Sequence, residues 1–91
     1  MANRSAEQAE PDEEASRIGL LSDRERSVLK LVAAGLTNAE IAARLHIGAG
    51  TVKDHLSAIL AKLVVGTRVQ AALVAQRSGL LDADADDEGR R

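Results

Sequence analysis

LTNAEIAARLHIGAGTVKDHLSAILAKL, residues 36–63, is the stretch that decides the fold. Thr37-Asn38-Ala39-Glu40 reads as a capping box. The threonine oxygen takes the amide of the third helical residue, and the glutamate reaches back. Ile41, Ala42 and Leu45 follow at helical spacing, which predicts a short helix over 38–45. His46-Ile47-Gly48 makes the next turn, with Ile47 as its buried member. Val52, Leu56, Ile59, Leu60 and Leu63 then stand at i, i+4, i+7, i+8 and i+11. That single apolar stripe predicts a longer helix over 49–63.

The pattern extends both ways. Upstream, Ser22-Asp23-Arg24-Glu25 is a second capping box, followed by Val28, Leu29, Leu31 and Val32. Gly35 stands where a left-handed helix end is wanted, so this helix is expected over about 23–34. Downstream, Gly66 breaks the chain and Thr67 is an N-cap. Val69 and Ala71 to Ala75 then predict a fourth helix over about 68–78, ended by Gly79. No strand signal or internal repeat appears. The expectation is an all-α domain of four helices over 20–80, between disordered acidic tails at 1–19 and 81–91.

Composition narrows the chemistry. The 91 residues include no Phe, Trp, Tyr or Cys. The core must be Leu, Ile, Val and Ala, and no ring is present on which a nucleobase could stack. Disulfides, thiolate zinc sites and cysteine nucleophiles are excluded. His46 and His55 lack the companions of a metal set. Counted from Asp82, DADADDEGRR places Asp87 at the sixth position, where a calcium loop needs glycine, and offers no glutamate at the twelfth. No cofactor site, metal site or catalytic arrangement is expected, so the chain is read as not an enzyme. No apolar run is long enough for a membrane span. Residues 1–17 lack the apolar core of a signal peptide. A cytoplasmic location without a membrane partner is inferred.

The formal net charge of −2 conceals a division. Residues 22–81 carry eight basic and four acidic side chains, whereas 1–21 and 82–91 each carry two basic and five acidic ones. A mildly basic centre therefore admits a polyanionic partner that the whole-chain charge would argue against.

Two short helices joined by a tight turn, the second longer, form a helix-turn-helix pattern. Ala42 suits the close crossing, Ile47 the turn, and Val52 the inward position of the second helix. An ordinary helical hairpin would use the same residues. The opposite face of the second helix favours a groove reader. Gly50, Lys53, Asp54, Ser57, Ala58 and Ala61 leave it nearly bare, suited to a groove about 12 Å wide. Thr51, Lys53, His55, Lys62 and Arg68 surround it and suit phosphates.

Residues 21–63 resemble the LuxR/FixJ-type helix-turn-helix of bacterial transcription regulators. The matching pieces are Glu25-Arg26-x-Val28-Leu29, Gly35-Leu36-Thr37-Asn38-x-Glu40-Ile41-Ala42, Leu45-x-Ile47, Thr51-Val52-Lys53-x-His55 and Ile59-x-x-Lys62-Leu63. Val65 and Arg68-x-Gln70-Ala71 continue the likeness to about residue 80. The resemblance implies double-stranded DNA as partner, with the helix over 49–63 in the major groove. It also implies a fourth helix, 68–78, that supports a weak homodimer through Val69, Ala72 and Leu73. By position, Thr51, Lys53, His55 and Lys62 fall on phosphates, and Asp54 and Ser57 near bases. Thr37 and Asn38 fall at a helix start that can hold a phosphate. RNA polymerase is a further partner the resemblance allows. The family usually has Gly at the position of Val64. Either the helix runs on toward Gly66, or Val64 takes another conformation. The alternatives are a sigma-factor region-4-like module and a helical protein-interaction module.

Overall fold

The computed structural model describes residues 11–81. Five helices order them: α1 (Pro11–Gly19), α2 (Asp23–Ala33), α3 (Asn38–Leu45), α4 (Ala49–Leu63) and α5 (Arg68–Arg77). Among the described residues none forms a strand, so the all-α expectation holds. The ends of α3 and α4 match the spacing of the sequence, and α2 and α5 each stop one residue early. The remaining parts of the two acidic tails, 1–10 and 82–91, lie outside the described residues.

α1 corrects the expectation of a disordered tail over 11–19. Pro11 occupies the first helical position, where its missing N–H costs nothing. Asp12, Glu13 and Glu14 fill the first turn, where negative charge meets the positive end of the helix. The decisive contact is remote. Glu14 is 3% exposed and accepts from Arg77 Nη2 at 2.7 Å and Nε at 3.3 Å. This two-pronged bond ties α1 to the end of α5. Ile18 packs against the core from the same helix. A segment with one buried acid and one large apolar residue shows no periodicity, so its polarity read as disorder.

Three capping boxes start α2, α3 and α5. Ser22 Oγ accepts from the Glu25 amide at 3.1 Å, and Thr37 Oγ1 from the Glu40 amide at 3.2 Å. Thr67 Oγ1 accepts from the Gln70 amide at 3.2 Å. In each box the third residue's side chain accepts in return from the cap amide. α4 supplies the seam of the core. Val52, Ile59 and Leu63 are wholly buried, and Leu56 nearly so. Val28 and Leu29 of α2, Ile41 of α3, and Ala71 and Ala75 of α5 close on them, also with no exposed surface. Ile47, expected as the buried member of its turn, is half-buried against this cluster.

Three helix ends reverse in the same way. The amide just after each corner bonds back to a carbonyl five residues earlier: Leu36 to Leu31 at 3.1 Å, Ile47 to Ala42 at 3.0 Å, Val65 to Leu60 at 3.0 Å. Each reversal needs a left-handed residue. Gly35 provides it for α2 at φ 93°, but His46 (φ 60°) and Val64 (φ 61°) provide it for α3 and α4. Neither expectation at Val64 holds: its side chain does not prevent the left-handed corner, which Val64 adopts in place of a glycine, and α4 stops at Leu63.

A second long-range ion pair joins α2 to α4. Lys62 Nζ donates to Glu25 Oε1 at 2.7 Å, and Glu25 is buried. The ammonium and the Ser22 amide together hold the Glu25 carboxyl below its ordinary value of 4.5, against a desolvation that pushes the other way.

Two outcomes are expected. Val64→Gly should stabilise the fold by about 0.5–1 kcal/mol, because relief of roughly 1–2 kcal/mol of left-handed strain exceeds the added chain entropy of glycine. Urea midpoints measure this. A fall would mean that the half-covered Val64 side chain outweighs its strain. Glu25→Gln should cost about 1 kcal/mol at neutral pH, near the low end for a charged hydrogen bond because Lys62 is partly solvated. A carboxyl with a depressed folded pKa contributes fully above pH 4.5 and loses that contribution as pH falls through the folded value. The gap between parent and variant should therefore be constant down to pH 4.5 and close below it.

Candidate nucleic-acid interface

α3 and α4 form the helix-turn-helix, and their crossing is set by small groups. Ala42 is buried where α3 meets the wholly buried Val52 of α4. The left-handed His46 ends α3, and Gly48 then caps α4 with no side-chain bond. The first amides of α4 are thus not taken by a side-chain cap, and a helix start of this kind attracts anions.

The face of α4 opposite its apolar stripe is open. Gly50, Thr51, Lys53, Asp54, Ser57 and Ala61 are exposed, and His55 and Ala58 are half-buried at its margins. Lys53 and Asp54 are the charged groups on this face, and no side chain there other than Lys53 is long. The geometry therefore brings together Thr51, Lys53, Asp54, His55 and Ser57, as the sequence pattern expected.

The other expected contact residues are engaged within the fold. Lys62 is half-buried and held by Glu25. Arg68 donates to Asn38 Oδ1 at 2.7 Å and to the Leu36 carbonyl at 2.9 Å, clamping α5 to the corner between α2 and α3. Thr37 is committed to its own capping box. These four residues build the frame that holds the open face. Glu25 and Asn38 are the partners that spacing alone could not pair with Lys62 and Arg68, which lie 37 and 30 residues away.

α5 leaves a second exposed feature. Val69 and Leu73, one turn apart, are 65% and 42% exposed, and Ala72 is half-buried beside them. They border an open groove of about 530 Å³ that runs to Val32 and Leu36. No single helix among the described residues is long and apolar enough to cross a membrane.

Comparison with known proteins agrees with this arrangement. The luxR family of bacterial regulatory proteins matches residues 19–75. The transcriptional regulatory protein LnrK of Bacillus subtilis is 48% identical over 60 residues, covering 66% of this chain and 27% of the relative. The uncharacterised transcriptional regulatory protein YhcZ of the same organism is 48% identical over 69 residues, covering 76% and 32%. The response regulator protein VraR of Staphylococcus saprophyticus is 42% identical over 81 residues, covering 89% and 36%. The chain spans about a third of the length of these relatives. The family match covers α2, α3, α4 and most of α5, so the chain belongs to the luxR family of bacterial regulatory proteins through its helix-turn-helix.

Proposed function

We propose that this chain binds double-stranded DNA in a sequence-dependent way as the reading module of a transcription regulator. α4 enters the major groove. The single observation that carries this is the face of α4, exposed and nearly bare, on a helix whose opposite side buries Val52, Leu56, Ile59 and Leu63. Thr51, Lys53 and His55 meet phosphates, and Asp54 and Ser57 meet base edges. Lys62 and Arg68 act from behind, through the frame they hold, with Lys62 near enough to the surface to meet a phosphate as well. The relatives named as transcriptional regulatory and response regulator proteins support the regulatory role.

The exposed Val69 and Leu73 support dimerisation through α5 on a two-fold site. So small an apolar patch, with Ala72 allowing close approach, suits weak pairing that DNA completes. The acidic segments 1–10 and 82–91 are read as tails of the DNA-binding unit.

Titration of the 91-residue chain with duplex DNA at several salt concentrations tests this reading. Affinity should fall steeply with salt. Lys53→Ala should weaken all sequences alike and flatten the slope of log K against log salt by about 0.9. Salt-independent binding, or no binding to any duplex, would refute it. Leu73→Glu and the parent should both be monomeric when free, and the variant should abolish paired occupancy of half-sites about one helical turn apart. Sedimentation with and without DNA reads this directly, and a tight dimer in the absence of DNA would overturn the weak-pairing reading.

A further inference from the structure

α4 contains one acidic side chain, and nothing in the fold explains it. Asp54 is exposed and has no ion-pair or hydrogen-bond partner among the described residues. The residues that share its face at helical spacing are Gly50, Thr51, Ser57 and Ala58, none of them charged. Its chain neighbours Lys53 and His55 project about 100° to either side. Asp54 is the sixth residue of α4, past the first turn in which an acid favours the helix start. That first turn holds no acid, although Gly48 is a weak cap. Pairing, capping and the helix dipole are each excluded as reasons for a carboxylate here.

In the DNA-bound state its position is costly. A carboxylate on the groove face meets the field of the phosphates and weakens binding to every sequence alike. Only a hydrogen-bond donor on a base edge offsets that. Thymine offers the O4 acceptor and a methyl group, and guanine offers two acceptors. Adenine sets its N6 donor beside the N7 acceptor, so a carboxylate meets one attraction and one repulsion. Cytosine presents the N4 amino group, with no acceptor of its own beside it in the major groove. Gly50 and Ser57, one turn away on either side, and Ala61, two turns on, are exposed and too short to hold Asp54 off the groove floor.

We propose that Asp54 is a specificity-determining residue that selects cytosine at one position of the DNA site. This rests on α4 being the groove helix. It makes the module a discriminator whose acid penalises wrong sites as much as its contact rewards the right one.

The test selects bound duplexes from a random pool with the 91-residue chain, then measures binding to a panel of single-base variants. For the parent, replacing one cytosine should weaken binding about 5- to 150-fold, the range of one good base contact. Asp54→Ala should lose that preference while binding random DNA more tightly than the parent. Asp54→Asn should move the preference to adenine, because an amide both accepts from N6 and donates to N7. All three together support the proposal. Identical preferences in parent and Asp54→Ala at every position would overturn it while leaving DNA binding intact. A parent that enriches no sequence but still binds duplex DNA would overturn it together with sequence-dependent reading. Both variants lie on an exposed face, and unchanged circular dichroism confirms that folding is not what altered binding.

Discussion

The burial of one stripe of α4 is the constraint on which the rest of the molecule depends. Val52, Leu56, Ile59 and Leu63 recur at intervals of three and four, and three of them have no exposed surface. With no aromatic side chain in the sequence, this stripe is the axis around which α2, α3 and α5 close. Helical geometry then fixes the consequence. The rotation that carries Leu56 inward carries Asp54 and Ser57 outward, so the same packing that stabilises the domain presents the open face of α4. A core mutation that let α4 roll by a fraction of a turn would change which side chains face outward before it unfolded the protein.

The corners hold that rotation. His46 and Val64 accept left-handed geometry at a cost of roughly 1–2 kcal/mol each. Each is followed by an apolar residue, Ile47 and Val65, whose amide closes the reversal and whose side chain packs against the core. That hydrophobic contact is the usual companion of such a helix end, and here it offsets the strain. Gly35 fills the same role at the end of α2 without strain. Packing therefore requires a reversal at all three ends, whichever residue stands there.

Local signals in the sequence carried most of the architecture. The boxes at Ser22 and Thr37, the N-cap at Thr67 and the stripe of α4 are patterns within a few residues, and each locates a helix to within about one residue. What could not be read is what depends on distance along the chain. Glu14 looked like one more acid in a polar tail, because Arg77 lies 63 residues away. Lys62 and Arg68 looked like free cations for the same reason. The open face was legible, because a helix shows its sides through spacing alone. The partners of the residues behind it were not legible: long basic side chains near an open helix face can serve either a phosphate or a carboxylate of their own fold, and spacing alone does not pair them.

That division of cations bears on how the domain would hold DNA. Arg26 pairs with Asp23, Lys62 with Glu25 and Arg77 with Glu14, while Arg68 is bound to Asn38 and Leu36. Arg24, Arg44 and Lys53 are the exposed cations without a partner among the described residues. Counterion release scales with the phosphates neutralised, so the free charges of the described residues in a single copy gain little from the backbone alone. Asp54 subtracts from that gain. On the reading of α4 as the groove helix, one domain is therefore a weak binder whose discrimination is large relative to its affinity. The proposed pairing through Val69 and Leu73 would change the arithmetic. The second domain binds at high effective concentration once the first is seated. Half-site energies then add, and the discrimination of one half-site multiplies that of the other. A strong dimer contact would add nothing to this, since it stabilises paired protein equally on right and wrong DNA. On that proposal, a patch as small as the one on α5 would act only when both half-sites are correct, the arrangement in which a lightly charged domain gains most in selectivity.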